Sequence, residues 1–599
     1  MDKHVMRRFD YRDEFATALS NGAFVFSDAE SPFFRKFLDD ALRKIGYAPV
    51  HVSRRTATRD CDQSLTSLWD DVKNDIHITL AGGGLLSLTY DYGSREGSQL
   101  PMLGQTGHAI NATFTEMKRG AMDALGSHTL VRTRGYATDI LTRFDLTIDR
   151  CRALSHDAGS NTTAFDEDAL LDLFCFGHGA DTAVKKVKSD SHGVQRDLGG
   201  RRTFAEMAAG VRYIVRDLRV STLRREHFRT VQTTLDPTVK PRMLILSSRH
   251  KFVFDRREID RALDLAPAIY AVDKNVMGKN TTERNAWAAG VSVFRKDVPD
   301  LKIIAPILGI IEDQLTFLGT SSKPRIGFVI FAIKKIFETI DGAIGKADED
   351  NRCNALATCR HFAQEFHYAF DDWLTSNVYR IAEVLTPERA CCLTRDQFQE
   401  SWAVVDQVHA DVTAADIPAP AAKRQRLSLG PGDLAGSIAQ EKEVYTAFLD
   451  TLFDNVFVEH DGVTTYKAGV VPGQFDTLGH WASLLILMPK VASIARNILP
   501  MQATSIPAER VFSRAKLVGR NRNLTPARLE KLVVSSANMA QLEKMMPGHG
   551  DQEEEDDNEF DASGEHGLDQ PLVAGGDDDR SDTDEGRGGA GAGAAGASS

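Results

Sequence analysis

The β-like runs of this chain crowd into one window, and that placement constrains the fold more than any other feature. From residue 76 to about 176 the sequence offers short apolar stretches separated by turn residues. These are H-I-T-L at 77–80, L-L-S-L-T-Y-D at 85–91, an extended segment at 103–113, I-D-R-C-R-A-L-S-H-D at 148–157, and the apolar run 170–176. Ala81-Gly-Gly-Gly84 separates the first two as a turn. Helices are predicted at 129–144 and 178–188. Strands this short and this localised can make only one modest sheet. The order strand, strand, strand, helix, strand, helix is that of an α/β domain, with several α/β topologies open on pattern alone.

The remainder has helical spacing. Residues 1–75 read as a helical N-terminal region, with Phe34, Phe37, Leu38, Ala41 and Leu42 on one face. Residues 76–190 form the first part of the sheet domain. Residues 191–410 read as an all-α segment, with helical apolar spacing over 259–269, 301–317 and 326–340. Residues 411–436 are Ala-, Pro- and Gly-rich and read as a linker, holding the basic cluster Lys423-Arg-Gln-Arg426. Helices resume over 437–456 and 481–498. In the latter, Trp481, Leu484, Leu485, Met488, Val491 and Ile494 make a long apolar stripe that Pro489 should kink or break. Residues 546–599 are acidic, then Gly/Ala-rich, a composition that predicts disorder.

Charge narrows the partners. The formal net charge is −12. Residues 551–599 hold 16 Asp+Glu and two Arg, so the rest of the chain has 68 acids against 70 Lys+Arg. That body is near neutral, and any nucleic-acid contact would rest on local basic patches. Seven Cys is an odd number in a 599-residue chain, which argues for a reducing compartment rather than a disulfide scaffold. The N-terminus has no apolar core of a secretory signal, and the longest apolar run is far short of the ~20 residues of a membrane helix. The expectation is an intracellular protein with no membrane partner. The Cys and His residues of 353–392 fit no common metal-ligand spacing, and neither a nucleophile elbow nor a P-loop is present.

One late stretch carries more information than the rest: T-S-I-P-A-E-R-V-F-S-R-A at 504–515. Pro507 suits a helix start, Glu509 falls in the first turn, and Val511, Phe512 and Ala515 give an apolar face. By itself this is an acid-capped amphipathic helix. The string S-I-P-A-E-R-V-F-S, a following basic stretch and N-L-T-P-A-R-L-E at 523–530 together resemble the C-terminal block of hAT-type (hobo/Ac/Tam3) transposases. The resemblance implies an RNase H-like catalytic domain interrupted by a large all-α insertion. A helical C-terminal dimerisation region, 437–545, would complete that domain. It also implies that Glu509 is the last acid of a DDE triad.

Other blocks extend the resemblance. L-T-Y-D-Y-G-S with His108 in the next strand resembles the family's first-Asp block and marks Asp91. The family's Trp-Thr after this Asp is replaced here by Gly93-Ser94; on residues alone the better reading of Asp91 is a turn residue ending its strand beside Gly93, and the surrounding block reverses that reading. A-L-S-H-D-A-G-S-N-T-T-A marks Asp157. Cys175-Phe-Gly-His178 resembles the family's Cys-x-x-His motif and implies an active-site positioning role for Cys175 and His178. Arg249-His250 is the best match to an Arg-Trp pair, with His in place of Trp. Arg249, His250, Arg510, Arg514 and Lys516 are the implied DNA contacts. Trp481, Leu485, Met488, Ile494, Val511 and Phe512 are the implied dimerisation residues. Phosphoryl transfer in such a site needs carboxylates converging on divalent cations, so Asp91, Asp157 and Glu509 are the implied ligands of Mg²⁺ or Mn²⁺. The family's N-terminal zinc finger has no counterpart here. The implied partners are a second copy of the chain and DNA, with a nuclear location and the cytoplasm as the other possibility. The alternative is a catalytically inactive, domesticated relative acting as a dimeric DNA- or chromatin-binding protein.

Overall fold

The structure, a computed structural model, describes residues 7–9, 47–49, 54–94, 101–115, 117–125, 130–157, 171–189, 202–246, 252–320, 323–415, 438–460, 463–467 and 475–511. Two short strands near the start, β1 (Arg7–Phe9) and β2 (Tyr47–Pro49), pair in parallel. A long helix, α1 (Arg54–Thr79), leads into the main sheet.

The first predicted strand is the end of that helix. His77-Ile78-Thr79 is the last turn of α1; Val72 and Ile76 of the helix and Leu80 just past its end are buried at four-residue spacing while Ile78 is exposed. A strand would have turned Ile78 and Leu80 to one face, whereas the helix gives the core the i, i+4 set. Gly82 and Gly83, both at positive φ, then reverse the chain, a conformation that suits residues without Cβ.

The sheet has five strands in the order β5-β4-β3-β6-β7. They are β3 (Leu86–Ser94), β4 (Pro101–Ile110), β5 (Met117–Leu125), β6 (Cys151–His156) and β7 (Leu171–Phe174). β3, β4 and β5 form an antiparallel meander, and β6 and β7 add in parallel on the other side of β3. A parallel neighbour requires a crossover, and α2 (Leu130–Arg143) lies in the connection from β5 to β6. β5 was missed from sequence because M-K-R-G-A-M-D-A-L has little β propensity. Its nine-residue pairing with β4 supplies what propensity does not.

One sheet face packs on α1 and α2. Leu86, Leu88 and Tyr90 of β3 and Leu154 of β6 meet Val72, Ile76, Ile140, Leu141 and Phe144 in a core of their own. The other face meets α3 (Phe176–Ser189), which buries Phe176, Ala180, Ala183, Val184 and Val187.

A helical segment follows: α4 (Phe204–Arg219), α5 (Thr222–Leu235), α6 (Phe252–Asp264), α7 (Ala266–Ala271), α8 (Lys274–Met277), α9 (Thr281–Leu318), α10 (Val329–Glu349), α11 (Cys353–Thr375), α12 (Asn377–Val384), α13 (Pro387–Ala390) and α14 (Arg395–Ala415). It shares one continuous core with α3, where Phe176 packs on Phe370 and Trp373 of α11. The chain returns through α15 (Ile438–Val456), a hairpin of β8 (Phe457–His460) and β9 (Val463–Tyr466), then α16 (Thr477–Leu484) and α17 (Pro489–Ile498). The apolar stripe from Trp481 is thus split at Pro489. Buried Glu441 accepts from the N–H groups of Lys490 and Val491 at 3.2 and 2.8 Å and so caps α17. Among the described residues no helix is long and apolar enough to cross a membrane.

Candidate active site

Strand register lines up the first three residues of the site. Thr89 of β3 pairs with Ser155 of β6, and Ser155 pairs with Leu173 of β7. Side chains two positions further along return to the same face. Asp91, Asp157 and Cys175 therefore stand in a row across three neighbouring chain segments.

Asp91 does not end its strand. β3 continues in register through Gly93 opposite Met102 and Ser94 opposite Pro101, so the turn alternative for Asp91 fails. Asp91 faces Gly104 across the ladder and is only 6% exposed. Its Oδ1 accepts the Tyr92 N–H at 2.7 Å.

The C-terminal block closes over this face. α17 is locked to the sheet domain by Arg496, itself buried. Its guanidinium donates to the carbonyls of Thr79 (2.6 Å), Ala81 (2.8 Å), Ile110 (2.9 Å) and Gly82 (3.3 Å). A Cβ on Gly84 would lie 2.7 Å from that guanidinium, which would have to shift to admit it. Asn497 accepts the Leu85 N–H at 3.0 Å. Beyond α17, the Gln502 carbonyl accepts from the Ser155 hydroxyl, and the Ala503 carbonyl accepts the Phe176 N–H at 2.9 Å. The Ser505 N–H then donates to Cys175 Sγ at 3.1 Å. Residues 506–511 are helical, and the Ser505 carbonyl accepts the N–H groups of Ala508 (2.9 Å) and Glu509 (3.1 Å). That start delivers Glu509 to Asp91.

The outcome is a compact donor cluster. One ligand atom each from Asp91, His178 and Glu509 lie within 4.8 Å of one another. Burial pushes the Asp91 carboxyl up to about 7; His178 opposes that shift, and Glu509 and Asp157 add to it. For His178 burial disfavours the charged ring, but Cys175, Asp91 and Asp157 outweigh it and hold its pKa at about 9. Three carboxylates and one imidazole thus share a field in a site where Asp91 is buried and the other three are half-buried. Two carboxylates and an imidazole at this spacing are a donor set that fits a small divalent cation.

The structure brings together Asp91, Glu509 and His178, with Asp157 and Cys175 in the adjacent strand positions. Cys175 is a buried packing thiol that takes the Ser505 N–H. Arg510 follows Glu509 and is half-buried. Arg249, His250, Arg514, Lys516 and Phe512 lie outside the described residues. The described residues among the implied dimerisation set are turned inward within the single chain. Trp481 and Met488 are fully buried, Val511 and Ile494 nearly so, and Leu485 is partly buried against the same core. Trp481 donates to the Leu385 carbonyl at 2.9 Å and stacks on Tyr445. The stripe is spent on the chain's own interior. The large apolar side chains left exposed beside it are Ile486 (75%) and Leu487 (60%), between α16 and α17.

Sequence reasoning missed Ser505 and Arg496 as working parts of this site. Each lay inside a quoted block, but a carbonyl-gathering arginine and a serine that bridges two elements are visible only when their partners are in place. The hairpin β8–β9 was also missed, although Asp461-Gly462 between alternating residues is a hairpin signal.

Comparison with known proteins agrees with the late block. Residues 450–539 match the family model of the hAT family C-terminal dimerisation region. No curated protein matches the chain.

Proposed function

We propose that this chain, which carries the C-terminal dimerisation region of hAT-type transposases, is a self-associating DNA transposase that cleaves and joins DNA strands at the Asp91–Asp157–Glu509 site. The observation that carries this reading is the meeting of Asp91 and Glu509, from opposite ends of the sequence, within one 4.8 Å cluster. An arbitrary first-turn glutamate has no reason to be delivered to a buried aspartate of a central strand.

The sheet supports the RNase H-like part of the reading. Its antiparallel meander with two parallel additions carries Asp91 on the central strand and Asp157 just beyond its parallel neighbour. When bound, divalent cations supply Lewis-acid stabilisation of the developing charge and lower the pKa of an attacking water. Asp91, Asp157 and Glu509 would hold them. The chain's own contribution is placement. Strand pairing sets the two aspartates, Arg496 ties α17 to the sheet, and the Ser505 turn sets Glu509. Burial excludes bulk water from Asp91, which strengthens every charge interaction there.

Self-association follows from the C-terminal region, and Ile486 and Leu487 are the surface offered for it. Work on chromosomal DNA would require the nucleus, for which Lys423-Arg-Gln-Arg426 is the candidate signal. The test is strand joining by purified protein given pre-cleaved transposon ends and target DNA with Mg²⁺ or Mn²⁺. Joining by wild type and none by Glu509→Gln is the expected result. If wild type joins no more than Glu509→Gln, the enzymatic claim fails and a dimeric DNA-binding protein is the better account.

A further inference from the structure

Resting on that reading, we propose that His178 is itself a metal ligand through Nε2, the cation displacing the ring's Nε2 proton to solvent as it binds. The cation then sits on one nitrogen and two carboxylate donors, from Asp91 and Glu509, and Mn²⁺ is favoured over Mg²⁺.

The geometry is specific to this trio. Opposite ligands of a six-coordinate cation stand about 4.2 Å apart, and the Asp91, His178 and Glu509 donor atoms already lie within 4.8 Å of each other. Among the described residues Asp157 joins no such group, although its charge reaches both Asp91 and His178.

The ring is oriented for the role. Nδ1 faces Ser505 Oγ at 3.5 Å, and that hydroxyl also lies 3.3 Å from Cys175 Sγ. A histidine whose second nitrogen is held this way presents the first in a fixed direction, as metal-ligating histidines do. The backbone under it has little room to move. A Cβ on Gly177 would come within 3.1 Å of Leu315, and one on Gly179 within 3.1 Å of Phe370. Helix α3 is therefore seated against the helical segment on both sides of His178.

Metal preference follows from donor type. Mg²⁺ prefers oxygen ligands and keeps its waters, whereas an imidazole nitrogen binds Mn²⁺ and the later divalent ions more readily.

The test uses the full chain, titrated with Mn²⁺ or Mg²⁺ alone. Pulsed electron paramagnetic resonance on Mn²⁺-loaded protein, with and without ¹⁵N-histidine labelling, reports any directly bound nitrogen. Wild type should show nitrogen coupling that changes with the label. His178→Asn should lose that coupling and bind Mn²⁺ at least about tenfold more weakly, while Mg²⁺ binding changes far less. Thermal melts confirm that the variant is folded. If Mn²⁺ binds without nitrogen coupling yet Glu509→Gln weakens it, His178 is not a ligand and the carboxylate site still stands. If His178→Asn weakens Mn²⁺ and Mg²⁺ equally, it acts by positioning and the proposal fails. If Glu509→Gln leaves metal binding unchanged, both the proposal and the site fail.

Discussion

Replacing Asp91 by asparagine should stabilise the metal-free protein while removing its metal affinity. The Asp91 carboxyl is raised from 3.8 to about 7, first by burial and then by Glu509 and Asp157. Each pKa unit corresponds to about 1.4 kcal/mol, so holding Asp91 ionised in the fold costs about 4 kcal/mol above pH 7. The folded state binds this proton more tightly than the unfolded chain. Its contribution is therefore fully present below pH 3.8 and is lost as the pH rises through about 7. The substituted amide has no proton to lose. Its oxygen can still accept the Tyr92 N–H, so the local backbone keeps its partner. His178 gives back part of the gain, because Asp91 is one of the groups that hold its proton. The net expectation is about 1–4 kcal/mol of added stability at pH 8 in EDTA. That advantage should shrink by up to about 3 kcal/mol at pH 5, where wild type keeps the proton. Calorimetric melts of both proteins at the two pH values measure it. A variant that melts lower than wild type at pH 8, or an advantage that does not change with pH, would refute the argument that Asp91 is a strained, desolvated carboxylate.

Three further outcomes follow from other contacts. Arg496→Lys keeps the charge but loses most of four carbonyl contacts, and should destabilise the fold by about 3 kcal/mol or more in denaturant titrations. His480, half-buried against Phe448 and Phe475, has its pKa lowered to about 4 by that burial. The unfolded chain takes up this proton first, so stability should fall as the pH drops from 6.5 towards 4, and His480→Phe should flatten that part of the pH profile of Tm. Ile486→Asp with Leu487→Asp should weaken self-association in sedimentation measurements without lowering Tm, because both side chains are exposed.

Local signals in the sequence carried much of the architecture. The break at Pro489, the helix start before Glu509 and the apolar strand ahead of Asp157 all depend on neighbours in the chain, and each was legible. The errors have a common cause. His77–Leu80 alternates like a strand, yet the core takes Ile76 from a helix and Leu80 from the turn that ends it. β5 has no strand signature and exists because β4 offers it a full edge. Asp91 beside Gly93 resembles a turn until β4 continues the ladder past it. In each case a long-range partner overrode local preference.

The division is clearest at the site itself. The family block around Glu509 and the residue types Asp91, Asp157, Cys175 and His178 could be named from the sequence alone, because motifs are contiguous and chemistry belongs to side chains. Which of them share a cluster was decided only in three dimensions. The Thr89–Ser155–Leu173 register put Asp91, Asp157 and Cys175 in a row, and Ser505 and Arg496 brought Glu509 to that row. The same packing withdrew Trp481, Met488, Ile494 and Val511 into the chain's own core. Apolar periodicity shows that a face must be buried, but whether the chain itself or a second copy buries it depends on what the fold brings opposite.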